Sequence, residues 1–206
     1  MTKTKLLYAI SGAVVFNIGI NLKTFEDIKF GYEGFCLPDI NENQAASIDT
    51  MQTFFKQYEI DAQTYLDKPT FTGTPLSGTM LAECARNAYD STGIIVPLNL
   101  ALAQAQFESG MGRKGRSPIT NPYNIGEWDG KTVTRFTTTK QGVQSYYFLM
   151  ASRYLVDKSP EELYQSFTNT AGHRYAKAKD YERKISNQAT YIERWIDENM
   201  SIEAEG

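Results

Sequence analysis

The sequence predicts a mainly α-helical protein, on three observations: apolar residues recur at helical spacing through several stretches of the chain, glycine and proline fall where helices stop and start, and a serine cap with proline and glutamate opens one of them. Helices are expected at about 77–92, 97–109, 139–156, 160–168 and 181–198, with a further helical pattern from Asn41 to Leu66 carried by Ile48, Met51, Phe54, Phe55 and Tyr58. Pro97 suits a first turn, and Gly110 and Gly112 supply the residue type that commonly ends a helix. Ser159-Pro-Glu-Glu162 combines a serine cap, a proline at the first position and a glutamate at the third. In the last helix Ile185, Ala189, Ile192 and Ile196 form the stripe to be buried, with Trp195 flanking it and Asp180 placed to cap its start. Asp67-Lys-Pro-Thr-Phe-Thr-Gly-Thr-Pro75 reads as a linker.

Composition narrows the chemistry. At 206 residues, 41% of them hydrophobic and 22% charged, the chain is long enough for one ordinary core plus extensions. A net charge of −3 argues against a broad polyanion surface, so nucleic acid is not an expected partner. One histidine and two cysteines are too few for the denser zinc clusters, and no metal or other cofactor is expected. Cys84 falls on an apolar helix face with Met80, Leu81 and Ala88, which fits a buried thiol as well as a disulfide to Cys36.

The N-terminus is a segment of its own. Lys3 and Lys5 precede Leu6 to Leu22, an uncharged run at the lower edge of the ~17–25 residues that cross a bilayer. Asn17, Asn21, Ser11, Gly12 and Gly19 dilute it, and no clear cleavage site follows. A secretory signal, a membrane anchor and a segment buried in a larger assembly all fit. The expected organisation is an apolar segment over 1–30, a helical extension and linker over 31–74, open to protein assembly, and a principal domain over 75–200.

Chemistry concentrates at Ala101-Leu-Ala-Gln-Ala-Gln-Phe-Glu108-Ser-Gly-Met-Gly112, where an apolar helix delivers one carboxylate to a glycine-punctuated turn. A lone glutamate on an amphipathic helix is ordinarily a solvated surface residue. Glu108, however, sits at the negative end of a helix dipole between Phe107 and Met111, and both settings disfavour the anion and push its pKa up, as a proton donor requires. Thr120-Asn-Pro-Tyr-Asn-Ile-Gly126 and Trp128-Asp-Gly130 follow as turn-forming segments with aromatics suited to sugar faces. Tyr146, Tyr147, Phe148 and Tyr154 have the look of a sugar platform, but at helical spacing in an apolar run most of them read as core. Arg113, Lys114 and Arg116 form a short basic loop, solvated or available to carboxylates.

With His173-Arg-Tyr-Ala-Lys-Ala-Lys-Asp-Tyr181-Glu-Arg-Lys-Ile185, these blocks in this order resemble the bacterial and phage glucosaminidase family of peptidoglycan hydrolases, over about residues 75–198. The Tyr175/Tyr181/Lys184-Ile185 block separates that family from lytic transglycosylases, which also place a glutamate before Ser-Gly. The resemblance implies a lysozyme-like helical domain with a β-hairpin lobe, here reduced to Glu127–Phe136. It implies an endo-β-N-acetylglucosaminidase that cleaves the β-1,4 bond between N-acetylglucosamine and N-acetylmuramic acid in peptidoglycan glycan strands. In that reading Glu108 is the general acid, Tyr175 an active-site phenol, and Tyr123, Asn124 and Trp128 contact sugar, while Glu127 and Asp129 are the candidates for a second carboxylate. Such an enzyme works exported, in the periplasm or cell wall, or on a virion. The alternatives are a lytic transglycosylase and a non-catalytic wall-binding or structural component of a phage particle or secretion machine.

Overall fold

The computed structural model describes residues 42–114, 119–126 and 134–203, and they are mainly α-helical. The helices are α1 (Glu42–Leu66), α2 (Gly78–Thr92), α3 (Leu98–Ser109), α4 (Thr139–Leu149), α5 (Pro160–Gln165) and α6 (Tyr181–Glu203), with a 3-10 turn at Pro69–Phe71 and a π-helical turn at Met150–Tyr154. The chain divides into two compact units, 1–53 and 54–206. In the first, only the opening half of α1 is described. The apolar segment Leu6–Leu22 and Cys36 lie outside the described residues, and no described helix is long and apolar enough to cross a membrane.

Within the second unit, the closing half of α1 buries Phe55, Tyr58, Ala62, Tyr65 and Leu66, a spacing of three or four residues that keeps one face inward. Tyr58 donates to the Val96 carbonyl at 3.2 Å and shares a 2.8 Å bond with the Tyr147 hydroxyl. Its aromatic face is therefore core. The stretch expected as a linker is also packed down: Phe71 is buried, and the Thr74 hydroxyl donates to the Met111 carbonyl at 2.7 Å.

Ser77 caps α2 by accepting from the Met80 amide, and Gly93 ends it at φ 73°, a left-handed value that glycine adopts without steric cost. Cys84 is a free, fully buried thiol on this helix. α3 is buried further round than the spacing of Leu98, Ala101, Leu102 and Ala105 alone requires. Leu100, Ala101, Leu102, Ala103, Gln104 and Ala105 are all buried, so α3 is a central helix surrounded by protein, packed chiefly on α6. α2 packs on α4, and Gly142 of α4 makes a close approach, since a Cβ there would lie 2.0 Å from the Thr120 carbonyl oxygen.

Two helices end earlier than their periodicity suggests. The expected helix 139–156 is regular only to Leu149 and then widens into the π turn, closed by a bond from the Leu155 amide to the Met150 carbonyl at 2.9 Å. α5 opens with the Ser159/Glu162 capping box but stops at Gln165 rather than 168. Phe167 instead takes a buried place against Tyr154, Tyr175 and Tyr181, and its carbonyl accepts from the Tyr175 amide at 3.0 Å. Tertiary aromatic packing and a cross-chain hydrogen bond outweigh one more helical turn there. α6 buries Tyr181, Ile185, Ala189, Ile192 and Ile196, and each of the three isoleucines is worth about 1.5–3 kcal/mol taken out of water. No strand occurs among the described residues. The β-hairpin expected over Glu127–Phe136 lies outside them from 127 to 133, and 134–136 are irregular.

Candidate active site

The last turn of α3 carries Glu108, and the left-handed Gly110 (φ 55°) turns the chain away immediately after it. The amides of Gly110 and Met111 cap the carbonyls of Gln106 and Ala105, each at 3.0 Å, which fixes where the helix stops. Ser109 then braces the turn. Its hydroxyl donates to the Pro122 carbonyl at 2.6 Å and accepts from the Gly112 amide at 2.7 Å, tying the end of α3 to the 119–126 loop.

That loop is folded by Asn121, which is fully buried: its amide nitrogen donates to the carbonyls of Ile125 at 2.7 Å and Thr134 at 2.8 Å, and its oxygen accepts from the Ile125 amide at 3.0 Å. The result presents Asn124 in a left-handed conformation (φ 52°), which asparagine tolerates better than most residues, with its side-chain amide 3.4 Å from Oε2 of Glu108. The other carboxyl oxygen, Oε1, accepts a 3.0 Å hydrogen bond from the Tyr181 hydroxyl. Glu108 is half-buried, and loss of water raises its pKa above the ordinary 4.5, while the bonds from Tyr181 and Asn124 act in the opposite direction.

Tyr181 is itself held from behind. Its hydroxyl accepts from Nε2 of Gln104 at 2.9 Å, and Oε1 of Gln104 accepts from the Tyr146 hydroxyl at 2.6 Å. All three side chains are buried, so their polar atoms are satisfied by one another, and burial keeps both phenols protonated well above the usual tyrosine range. Phe107 closes one side edge-on to Tyr181, with ring centroids 5.4 Å apart.

The residues expected from sequence are thus brought together unevenly. Glu108 and Asn124 meet. Tyr175 is adjacent, its ring stacked on Tyr181 with centroids 5.8 Å apart and planes 17° apart, but its hydroxyl donates to the main-chain carbonyl of Tyr123 at 2.7 Å. Tyr123 does not line a groove with its side chain: the ring is fully buried and stacked on Tyr146 at 3.6 Å, because the turn at Asn124 directs the preceding residue into the core. Glu127, Trp128 and Asp129 lie outside the described residues, as does Arg116. Tyr146, Tyr147 and Tyr154 are core, as their helical spacing implies. Among the described residues no group of three His, Cys, Asp or Glu side chains is placed to hold a metal ion.

Sequence reasoning did not single out Tyr181 or Gln104 for the site. Tyr181 is in register with Ile185, Ala189 and Ile192 and so resembles another core position. Gln104 carried a usable signal, a polar residue one turn before Glu108 on a helix otherwise apolar enough to be buried. Beside Glu108 opens a cleft of about 630 Å³ whose lining includes Lys68, Phe71, Phe107, Arg113 and Tyr191. No family model, curated protein or solved structure matches this chain.

Proposed function

We propose that the chain is a peptidoglycan glycosidase that cleaves the β-1,4 bond between N-acetylglucosamine and N-acetylmuramic acid, with Glu108 as general acid. The observation that carries this reading is the setting of Glu108: a half-buried carboxyl with a raised pKa, steered by Tyr181 and Asn124, at the rim of a cleft. A carboxyl in that setting retains its proton closer to neutrality and gives it to a glycosidic oxygen as the C–O bond breaks. The acetamido oxygen of the sugar then closes on the anomeric carbon, water opens the resulting ring, and the Glu108 carboxylate takes the water's proton, which returns the acid to its starting state. Glu127 and Asp129 remain the candidates for a second carboxylate. Tyr181 and Gln104 act as positioning residues, and Tyr175 backs Tyr181. The work of such an enzyme is on glycan strands of the wall, reached by export or carried on a virion.

Glu108→Gln keeps the size and hydrogen-bonding reach of the side chain but removes the transferable proton, so reducing-end release from purified peptidoglycan should fall ~10²-fold or more. Retention of more than about a tenth of the activity removes Glu108 from the mechanism, general acid catalysis ordinarily supplying ~10²-fold or more. Borohydride-reduced products should end in N-acetylglucosamine. Anhydromuramic ends would replace this reading with a transglycosylase, and a wild-type chain silent in zymography would leave a wall-binding component.

A further inference from the structure

Residues 54–72 stand outside the stretch that resembles glucosaminidases, yet Tyr65, Lys68 and Phe71 build one wall of the cleft beside Glu108. Lys68 is half-buried, and its ammonium is caged by three rings, 4.8 Å from the centroid of Tyr65, 5.0 Å from Tyr191 and 4.3 Å from Trp195, while donating to the Tyr191 hydroxyl at 3.1 Å. In the same cleft, Arg113 lies with its guanidinium 5.8 Å from the Phe71 ring and gives two of its five N–H groups to the carbonyls of Gly110 and Thr72, both at 3.1 Å. Lys114 lines the same cleft. Among the described residues none of these three cations forms an ion pair, although the chain has 24 acidic residues to 21 basic ones. Main-chain carbonyls and aromatic faces hold Lys68 and Arg113 in place without neutralising them. Fixed, unneutralised cations against apolar ring faces make a site for a carboxylate borne on a partly apolar chain.

We infer that this cleft is a subsite for a free carboxylate of the stem peptide on the muramic acid, with Lys68 and Arg113 as its specificity-determining residues. The inference rests on the glycosidase reading of Glu108, because that reading places a peptide-bearing sugar next to the cleft. The lactyl group left on a peptide-free muramic acid offers the same chemistry from a second source. On this account the extension before residue 75 selects peptide-bearing strands for the acid that follows it.

The test uses the full chain carrying Glu108→Gln, so that ligands are bound and not consumed, and calorimetric titration with three muropeptides: a disaccharide-tetrapeptide with free carboxylates, the same molecule with its carboxylates amidated, and the peptide-free disaccharide that keeps its lactyl carboxylate. The acidic tetrapeptide should bind ~10-fold tighter than the amidated one, and tighter than the peptide-free disaccharide, a charge-assisted contact being worth about that factor. Adding Lys68→Met or Arg113→Gln should bring the acid-to-amide ratio towards one. Equal binding of acid and amide by the Glu108→Gln chain itself, a comparison that involves no further substitution, overturns the inference, as does an unchanged ratio in both variants. Peptide-free disaccharide binding as tightly as the acidic tetrapeptide assigns the cleft to the lactyl group and overturns the peptide subsite. Zymography of the unsubstituted chain separates the two readings: cleavage with no acid preference upholds Glu108 and removes the subsite, whereas acid preference without cleavage upholds the subsite and removes the glycosidase.

Discussion

Tyr181→Phe is the most direct test of how the site is built, because it deletes one oxygen atom and two hydrogen bonds, one buried and one half-buried. One runs to Glu108 at 3.0 Å and the other comes from Gln104 at 2.9 Å. Because Gln104 and the Tyr181 ring are both fully buried, the Gln104 amide is left without its acceptor, at a cost of about 1–3 kcal/mol. For a chain of this size ~1 kcal/mol corresponds to ~2–4 °C, so calorimetry should show the melting temperature falling by about 2–12 °C. The second consequence concerns the proton. The tyrosine bond holds the Glu108 pKa down against the burial that raises it, so its removal should lift that pKa further. The alkaline limb of the kcat/KM profile reports loss of the acid's proton and should move to higher pH. An alkaline limb that stays in place, or moves to lower pH, refutes the claim that Tyr181 tunes Glu108, whatever happens to the melting temperature.

Glu108→Gln also makes a stability prediction. The folded pKa is raised above the unfolded one, so the carboxyl's contribution is fully present below about the ordinary 4.5 and is lost as pH rises through the raised value. Urea unfolding should therefore find the glutamine variant more stable than the parent at neutral pH, with that advantage disappearing below pH 4.5; an advantage that grows on acidification contradicts the sign. Ser109→Ala removes the buried bond to Pro122 and the acceptor for the Gly112 amide, and should cost about 1–3 kcal/mol in denaturant unfolding together with a loss of turnover as the Asn124 loop drifts. Tyr175→Phe loses only a neutral bond to the Tyr123 carbonyl, about 0.5–1.5 kcal/mol, and should shift the alkaline limb less than Tyr181→Phe does. Gly142→Ala places a methyl 2.0 Å from the Thr120 carbonyl oxygen, so α4 or the loop that carries Asn121 must move; strain of this kind typically costs about 1–3 kcal/mol, and an unchanged melting temperature would show that the approach relaxes freely.

Local chemistry in the sequence was enough to place most helices and to set the carboxyl of Glu108 at a helix end. The Ser159/Glu162 capping box, the left-handed glycine at 110 and the stripe of α6 are decided within a few residues of where they act, and so is the delivery of Glu108 to a turn at the end of a helix. What lay beyond the sequence was everything that depends on which distant surfaces meet. Tyr181 stands in the same register as the core residues of α6, and only the packing of α6 on α3 shows that its hydroxyl ends at Glu108, across 73 positions of chain. Tyr123 and Asn124 are neighbours in a polar turn, yet one left-handed residue sends the first ring into the core and the second side chain to the acid. Phe167 leaves α5 for an aromatic cluster drawn from three other segments, and Lys68, in a stretch that reads as a linker, is caged by rings from α1 and α6. Helix caps and periodicity are local free energies that a short window of sequence contains; the partner of a hydroxyl or a lysine is set by the closure of long loops, whose entropy cost is met only when the whole core forms.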